Sequence, residues 1–242
     1  MRTFLVAQEL ATALARQLAP DDRLVLFSSS WKDRLSPGTI PGVPVIDARV
    51  PVTFLNLAWH RLEWPSIETF SGDVDVVHSM HPLLMPAQRA AQVVTIHDLY
   101  FLDAPENTSA EIRRDYPSLA GSHARRADQV ITVSDYTARQ VLSKLGVAAD
   151  RVAICPNGAP RWTPIADHAK LPAGHVHLLF MGTIEPRKNV GALLRAELGL
   201  ERLGVFVRAF EIVNDAHRAD ENFTRGEAAD ELRQPRGARH EP

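Results

Sequence analysis

The 242-residue chain has one cysteine, Cys155. No disulfide framework can be built from it, and a reducing, cytoplasmic compartment is the expectation. Long apolar runs are absent too. No segment approaches the twenty or so apolar residues that a membrane-spanning helix needs. Charge of one sign is not in excess either: 27 basic against 29 acidic residues leave a formal net charge of −2. A global basic field that would draw the chain to nucleic acid is thereby excluded. Lysine is scarce beside arginine, and no internal repeat is visible. Cys155, at the end of the apolar run in "RVAICPNG", is expected to be a small buried hydrophobe rather than a nucleophile.

What is present is alternation. In "MRTFLVAQELATALARQLAPDD", Val6, Leu10, Leu14 and Leu18 fall four apart, and Gln8 and Glu9 interrupt the apolar stretch. That spacing predicts an amphipathic helix rather than a signal peptide. Short apolar runs at 23–30, 43–50, 73–80, 92–99, 129–135 and 150–158 read as strands. Helical patterns at 54–64, 118–128 and 136–146 separate them, the last capped by Ser134 or Asp135 and closed by Gly146. Continuous apolar strands between helices predict a parallel sheet covered on both faces. Such sheets bind ligands at the carboxyl ends of their strands, which singles out His78, His81, His97, Asp98, Ser134 and Asn157. Asn157-Gly158 reads as a turn. The spacing of His78 and His81 suits a metal pair, but no second ligand cluster accompanies it. Trp59, Trp64 and Trp162 read as packing residues.

Residues 159–174, with three prolines and no periodicity, read as a linker. A new strand at 175–182 follows, then the loop "GTIEPRKN" (182–189), then a helix from 189 to 196. Residues 203–213 could add one short element. The polar tail, 214–242, is expected to be disordered for want of large apolar residues.

In "GTIEPRKN", Gly182 permits close approach of backbone and ligand. The helix start that follows favours an anion. Arg187 offers a planar fork and Lys188 a point charge, a combination suited to a diphosphate. A solvated loop whose cations pair with Glu185 fits the same residues.

The ordered set "VVTIHDL", "RRADQVITVSDYTARQVLSKLGV", "DRVAICPNG" and "LLFMGTIEPRKNVGALLRA" resembles the middle of a family 4 glycosyltransferase. These are retaining, two-domain enzymes of the GT-B fold, and the likeness is strongest to mannosyltransferase-like members that build surface polysaccharides. The resemblance implies an α/β protein: residues 1–158 form a Rossmann-like, acceptor-side domain that lacks its first strand. Residues 175–213 form the first β-loop-α stub of a second, donor-binding Rossmann-like domain. It implies a nucleotide-sugar donor and a glycan or lipid-linked acceptor, with no cofactor and no metal. Peripheral association with the cytoplasmic face of the inner membrane would follow. His97 matches the histidine beside the donor sugar. Gly182, Arg187 and Lys188 match the diphosphate-binding loop, with Asp98 and Asn189 in support. The glutamate pair that such enzymes carry further downstream is not found after Ala196, so a chain of low activity alone is expected. The alternative is a non-catalytic remnant or partner subunit that binds glycan or a complementing chain. An unrelated metallohydrolase using His78, His81 and His97 is the remote third reading.

Overall fold

The computed structural model describes residues 2–29, 34, 35, 37–159, 176–181, 188–192, 195, 196 and 207–212. The chain divides into two compact units, Met1–Pro164 and Ile165–Pro242.

The first unit opens with helix α1 (Arg2–Ala15), as the four-residue spacing requires. Strands β1 (Leu26–Ser28) and β2 (Val45–Asp47) follow and pair in parallel, Phe27 opposite Ile46. Ala11 of α1 packs with Ile40 and Val43, and Leu24 and Leu26 lean on the same cluster. Next come α2 (Val52–Leu62) and the short α3 (Glu68–Ser71). Strands β3 (Val76–Ser79) and β4 (Ala91–Ile96) lead to α4 (Tyr100–Asp103) and the long α5 (Ala110–Arg126). Strand β5 (Gln129–Thr132), helix α6 (Asp135–Gln140) and strand β6 (Val152–Ile154) complete the unit. Helix α6 runs on into one wider turn, Val141–Leu145, and stops at Gly146 in the left-handed conformation, φ 66°.

Strands β3, β4, β5 and β6 form one parallel sheet in that order. Parallel neighbours need crossover connections, which the intervening helices supply. One face is dry. Val94 and Ile96 of β4 and Val130 of β5 are fully buried against Ala120, Ala124 and Ala127, the apolar ridge of α5 and its cap. Alanines at this spacing remove side-chain bulk where helix meets sheet, so the backbones approach closely. Val141, Leu145 and Val147 close the same core.

Helix α5 begins eight residues before the expected start at 118. Pro117, the residue before that expected start, lies inside the helix. Its ring forfeits one backbone bond, while Ser109 caps the true start by accepting from the Ile112 N–H at 3.4 Å.

The sheet of the first unit is interrupted. β1–β2 and β3–β6 are separate ladders. Helix α2 holds both: Leu55 and Trp59 pack with Val77 of β3, and Phe27 of β1 leans on the same cluster. Phe27 stands 5.8 Å from Trp59 and 5.5 Å from Phe70, centroid to centroid. Glu68 of α3 fastens the approach to β4, one carboxylate oxygen accepting from the backbone N–H groups of Gln88 at 2.8 Å and Arg89 at 3.1 Å.

Two local expectations fail. Cys155 is exposed, not buried. Strand β6 is the outer strand and ends at Ile154, so Cys155 lies past the ladder, held only by its N–H to the Thr132 carbonyl at 2.8 Å. Asn157-Gly158 lies in an irregular stretch rather than a turn.

In the second unit, β7 (Val176–Met181) pairs in parallel with β8 (Val207–Ile212). Residues 190–192 and 195–196, which lie between them in the sequence, are helical. Residues 160–175 and the tail beyond 212 lie outside the described residues. Among the described residues no helix is long and apolar enough to cross a membrane.

Truncating Ile96, which is fully buried, leaves a cavity under α5, so Ile96→Ala is expected to cost about 2–5 kcal/mol. Val76→Ala, at a residue 59% exposed, should stay within about 0.5 kcal/mol of wild type. Urea denaturation of the two variants checks the contrast.

Candidate active site

The parallel ladder delivers His97 one residue beyond the end of β4. Strand alternation puts Val93, Thr95 and His97 on the face opposite the dry α5 contact. His78 of β3 pairs with Val93 and so shares that face. Its Nε2 meets the Thr95 hydroxyl at 2.8 Å. Burial first, and then the neighbouring His97 ring, hold the His78 pKa below its ordinary value. His78 is therefore neutral at physiological pH.

His97 is half-buried. Its backbone is bolted down: the Thr137 hydroxyl, at the start of α6, donates to the His97 carbonyl at 3.1 Å. Ser134 caps the same helix, accepting from the Thr137 N–H at 3.1 Å, and its hydroxyl lies 3.0 Å from the Thr137 hydroxyl. The first turn of α6 is thus pinned to the strand end that carries His97. The ring itself is different. Its Nε2 is buried and has no hydrogen-bond partner among the described residues. Buried polar atoms are nearly always bonded, so an exception marks a place where a partner is called for. Asp98 faces solvent, and its Oδ1 accepts from the Tyr100 N–H at 3.0 Å, which starts α4.

Lys188 and Asn189 belong to the second unit. They immediately precede its helical turn, where the Asn189 carbonyl accepts from the Ala192 N–H at 2.9 Å. Asn189 has φ 47°, a left-handed backbone that asparagine tolerates better than most residues. Lys188 is half-buried. Gly182, Glu185 and Arg187 lie outside the described residues, as does Trp162.

His78 and His81 are not a metal pair. His81 turns the other way and stacks on Tyr116 of α5, ring centroids 6.3 Å apart. No group of three His, Cys, Asp or Glu side chains among the described residues could hold a metal ion. His81 instead joins a polar cluster between α2, the β3–β4 loop and α5 that sequence spacing did not reveal. His60 of α2 meets Asp115 at 3.3 Å, and Arg114 grips the same carboxylate at 2.6 and 2.7 Å. The Arg114 guanidinium first, and His60 after it, hold the Asp115 carboxyl below its ordinary pKa against the effect of burial. His81 Nδ1 accepts from the Leu83 N–H at 3.3 Å, and His123 Nδ1 from the Leu84 N–H at 2.9 Å. Two neutral imidazoles therefore hold adjacent backbone donors of one loop. The only signal in the sequence is three histidines at distances no local motif links.

Burial is the main reason His81 and His123 have pKa values lowered to about 4. The unfolded chain protonates them near the ordinary 6.5. Their neutral-form contribution is thus complete above about pH 6.5 and drains away as pH falls toward 4. Urea midpoints should fall across that window, with unfolding taking up about two protons. His81→Phe, which keeps the stack on Tyr116, should flatten the slope.

Trp59 is buried and donates from Nε1 to the Pro65 carbonyl at 2.9 Å, a packing residue as expected. Trp64 is 67% exposed, not packed, because it follows the end of α2 and points off the core.

A curated relative, O-antigen chain mannosyltransferase B of Escherichia coli, is 24% identical over 131 residues, which is 50% of this chain. The match covers 34% of that relative, so the chain spans about a third of its length. The model of Glycosyltransferase Family 4 matches residues 6–161, from α1 through β6 and therefore including His97 and both of its hydroxyl anchors. A match over that much of the chain identifies it as a member of Glycosyltransferase Family 4.

Proposed function

We propose that this protein acts in the retaining transfer of a sugar, mannose, from a nucleotide-sugar donor such as GDP-mannose. The acceptor is a glycan or lipid-linked glycan in polysaccharide biosynthesis. The observation that carries this reading is the unbonded, buried Nε2 of His97 at the carboxyl end of β4. Parallel α/β sheets bind ligands there. An imidazole in that position bonds a donor-sugar hydroxyl and organises the oxocarbenium charge that develops as the glycosidic bond breaks. Thr137 keeps it in place through the backbone. Arg187 and Lys188, with Gly182 allowing close approach, hold the donor diphosphate and offset the negative charge of the leaving group. Asn189 and Asp98 shape the flanking loops. On this reading the two cations do the electrostatic work and no metal is needed.

A lipid-linked acceptor fits the surface of α2. Phe54, Leu57, Leu62 and, just beyond the helix, Trp64 are exposed. Such side chains suit peripheral contact with the cytoplasmic face of the inner membrane. Transfer needs donor and acceptor fixed against each other with water excluded, so turnover by this chain alone is expected to be slow. The interruption between β1 and β3 favours a second reading, a partner subunit that binds glycan or a complementing chain without turnover of its own.

A panel of nucleotide sugars, scored for transfer and for donor hydrolysis, tests the proposal. His97→Ala should reduce kcat by about 10²–10³-fold, and Lys188→Ala should weaken donor binding as well. A chain that binds glycan but no nucleotide sugar, and turns over none, would establish the second reading.

A further inference from the structure

The ladder that delivers His97 ends one residue before it. Ile96 opposite Thr132 is the last pair of β4 with β5. On the other flank, Ser79 opposite Val94 is the last pair of β3 with β4. Among the described residues, the side chain that reaches the His97 backbone is Thr137, whose hydroxyl donates to the His97 carbonyl at 3.1 Å. Thr137 is 4% exposed, so little water competes for that hydroxyl.

Counting protons gives this contact a direction. A hydroxyl carries one proton and accepts through two lone pairs. A carbonyl only accepts, so the Thr137 proton points at His97. The Ser134 and Thr137 hydroxyls lie 3.0 Å apart, and the proton between them must then come from Ser134. Ser134 Oγ keeps a lone pair, which accepts from the Thr137 N–H at 3.1 Å. The series runs one way, from the Thr137 amide through Ser134 and the Thr137 hydroxyl to the His97 carbonyl. Each bond in such a series polarises the next. A helix cap needs only the first of these bonds. The other two add nothing to the cap of α6, and they end on the residue whose ring holds the unbonded Nε2.

We propose that Ser134 and Thr137 are positioning residues for His97: their hydroxyls, donating in series to its carbonyl, set where its ring stands at the end of β4. The inference rests on the sugar-transfer reading for what the ring does there, but the position of the ring is read without any turnover.

The test uses the full-length protein carrying isotope-labelled histidine, with the His97 ring signals assigned by their loss in His97→Ala. Ser134→Asp separates positioning from capping. A carboxylate caps a helix as serine does, but it cannot donate, and it draws the Thr137 proton to itself. That variant should keep at least the wild-type urea midpoint and yet shift the His97 ring signals. Thr137→Val removes the hydroxyl without adding charge and should shift them too, whereas Thr137→Ser keeps the hydroxyl and should leave them in place. Gly146→Ala strains the left-handed end of the same helix, so it should lower the urea midpoint and leave the His97 signals unmoved. In nucleotide-sugar transfer, Ser134→Asp and Thr137→Val should each lower kcat by about 10–10²-fold, with the donor KM changed by less than about threefold. Ring signals unmoved by both substitutions overturn the proposal, as does a loss of kcat that only follows the urea midpoint across the variants. If no form turns over a nucleotide sugar while the ring signals respond as expected, the sugar-transfer reading fails and the positioning role stands. Should Thr137→Val fail to fold, Ser134→Asp, which keeps the cap, decides alone.

Discussion

The contact on which the rest depends is the dry seam between α5 and the β4–β5 strands. Ala120, Ala124 and Ala127 are small enough to let the helix lie directly on Val94, Ile96 and Val130, and every one of these residues is fully buried. The seam fixes where β4 ends, and therefore where His97 stands. It also sets α5 so that Tyr116 reaches His81 and His123 reaches the backbone of Leu84. Hydrophobic burial gives this contact its strength, whereas the polar interactions around it give it its particular geometry.

Those polar interactions fall into two sets on opposite sides of the sheet. On the α5 side, imidazoles act as neutral acceptors for backbone donors, which suits a buried loop that cannot turn to water. On the other side, hydroxyls of Thr95, Ser134 and Thr137 hold His78 and the His97 backbone, and leave one ring nitrogen without a partner among the described residues. The His60–Asp115 cluster and the candidate site at His97 therefore lie on different faces, so a substitution in the cluster probes folding and one at His97 probes the proposed site.

Much of this was legible in the sequence, for a physical reason. A strand buried on both faces must be apolar throughout, so "QVVTI" and "QVIT" announce themselves. The glycine after α6 and the serine before it are chemical requirements of a helix end. Strand-end placement of His97 and Asp98 follows from the same alternation. The start of α5 was placed too late because its first turns, with Pro117 inside, have weak helix propensity, and the long apolar contact of α5 outweighs the one missing bond. Cys155 misled because an apolar neighbourhood in sequence continued past the ladder that would have covered it. The His60–Asp115–His123 grouping was out of reach, since His60 lies 55 positions from Asp115 and is brought to it by the packing of α2 on α5. No local pattern encodes such a pairing. The loop expected to bind diphosphate stands differently: Lys188 and Asn189 sit at a helix start, and Gly182 and Arg187 are outside the described residues.

Asp73 and Asp75 precede β3, and both are exposed. They place negative charge at the entrance to the edge of β3 that faces away from β4. Two copies approaching through that edge bring like charges together, a brake on edge-to-edge stacking that natural sheets commonly use. Arg89 lies only 3.8 Å from Asp73 and partly offsets it. The brake is a matter of solution conditions: at an ionic strength of 0.15 M it reaches about 8 Å, and added salt shortens it further. Association of copies through this edge is thus expected to depend on electrolyte, rising as salt screens the two carboxylates.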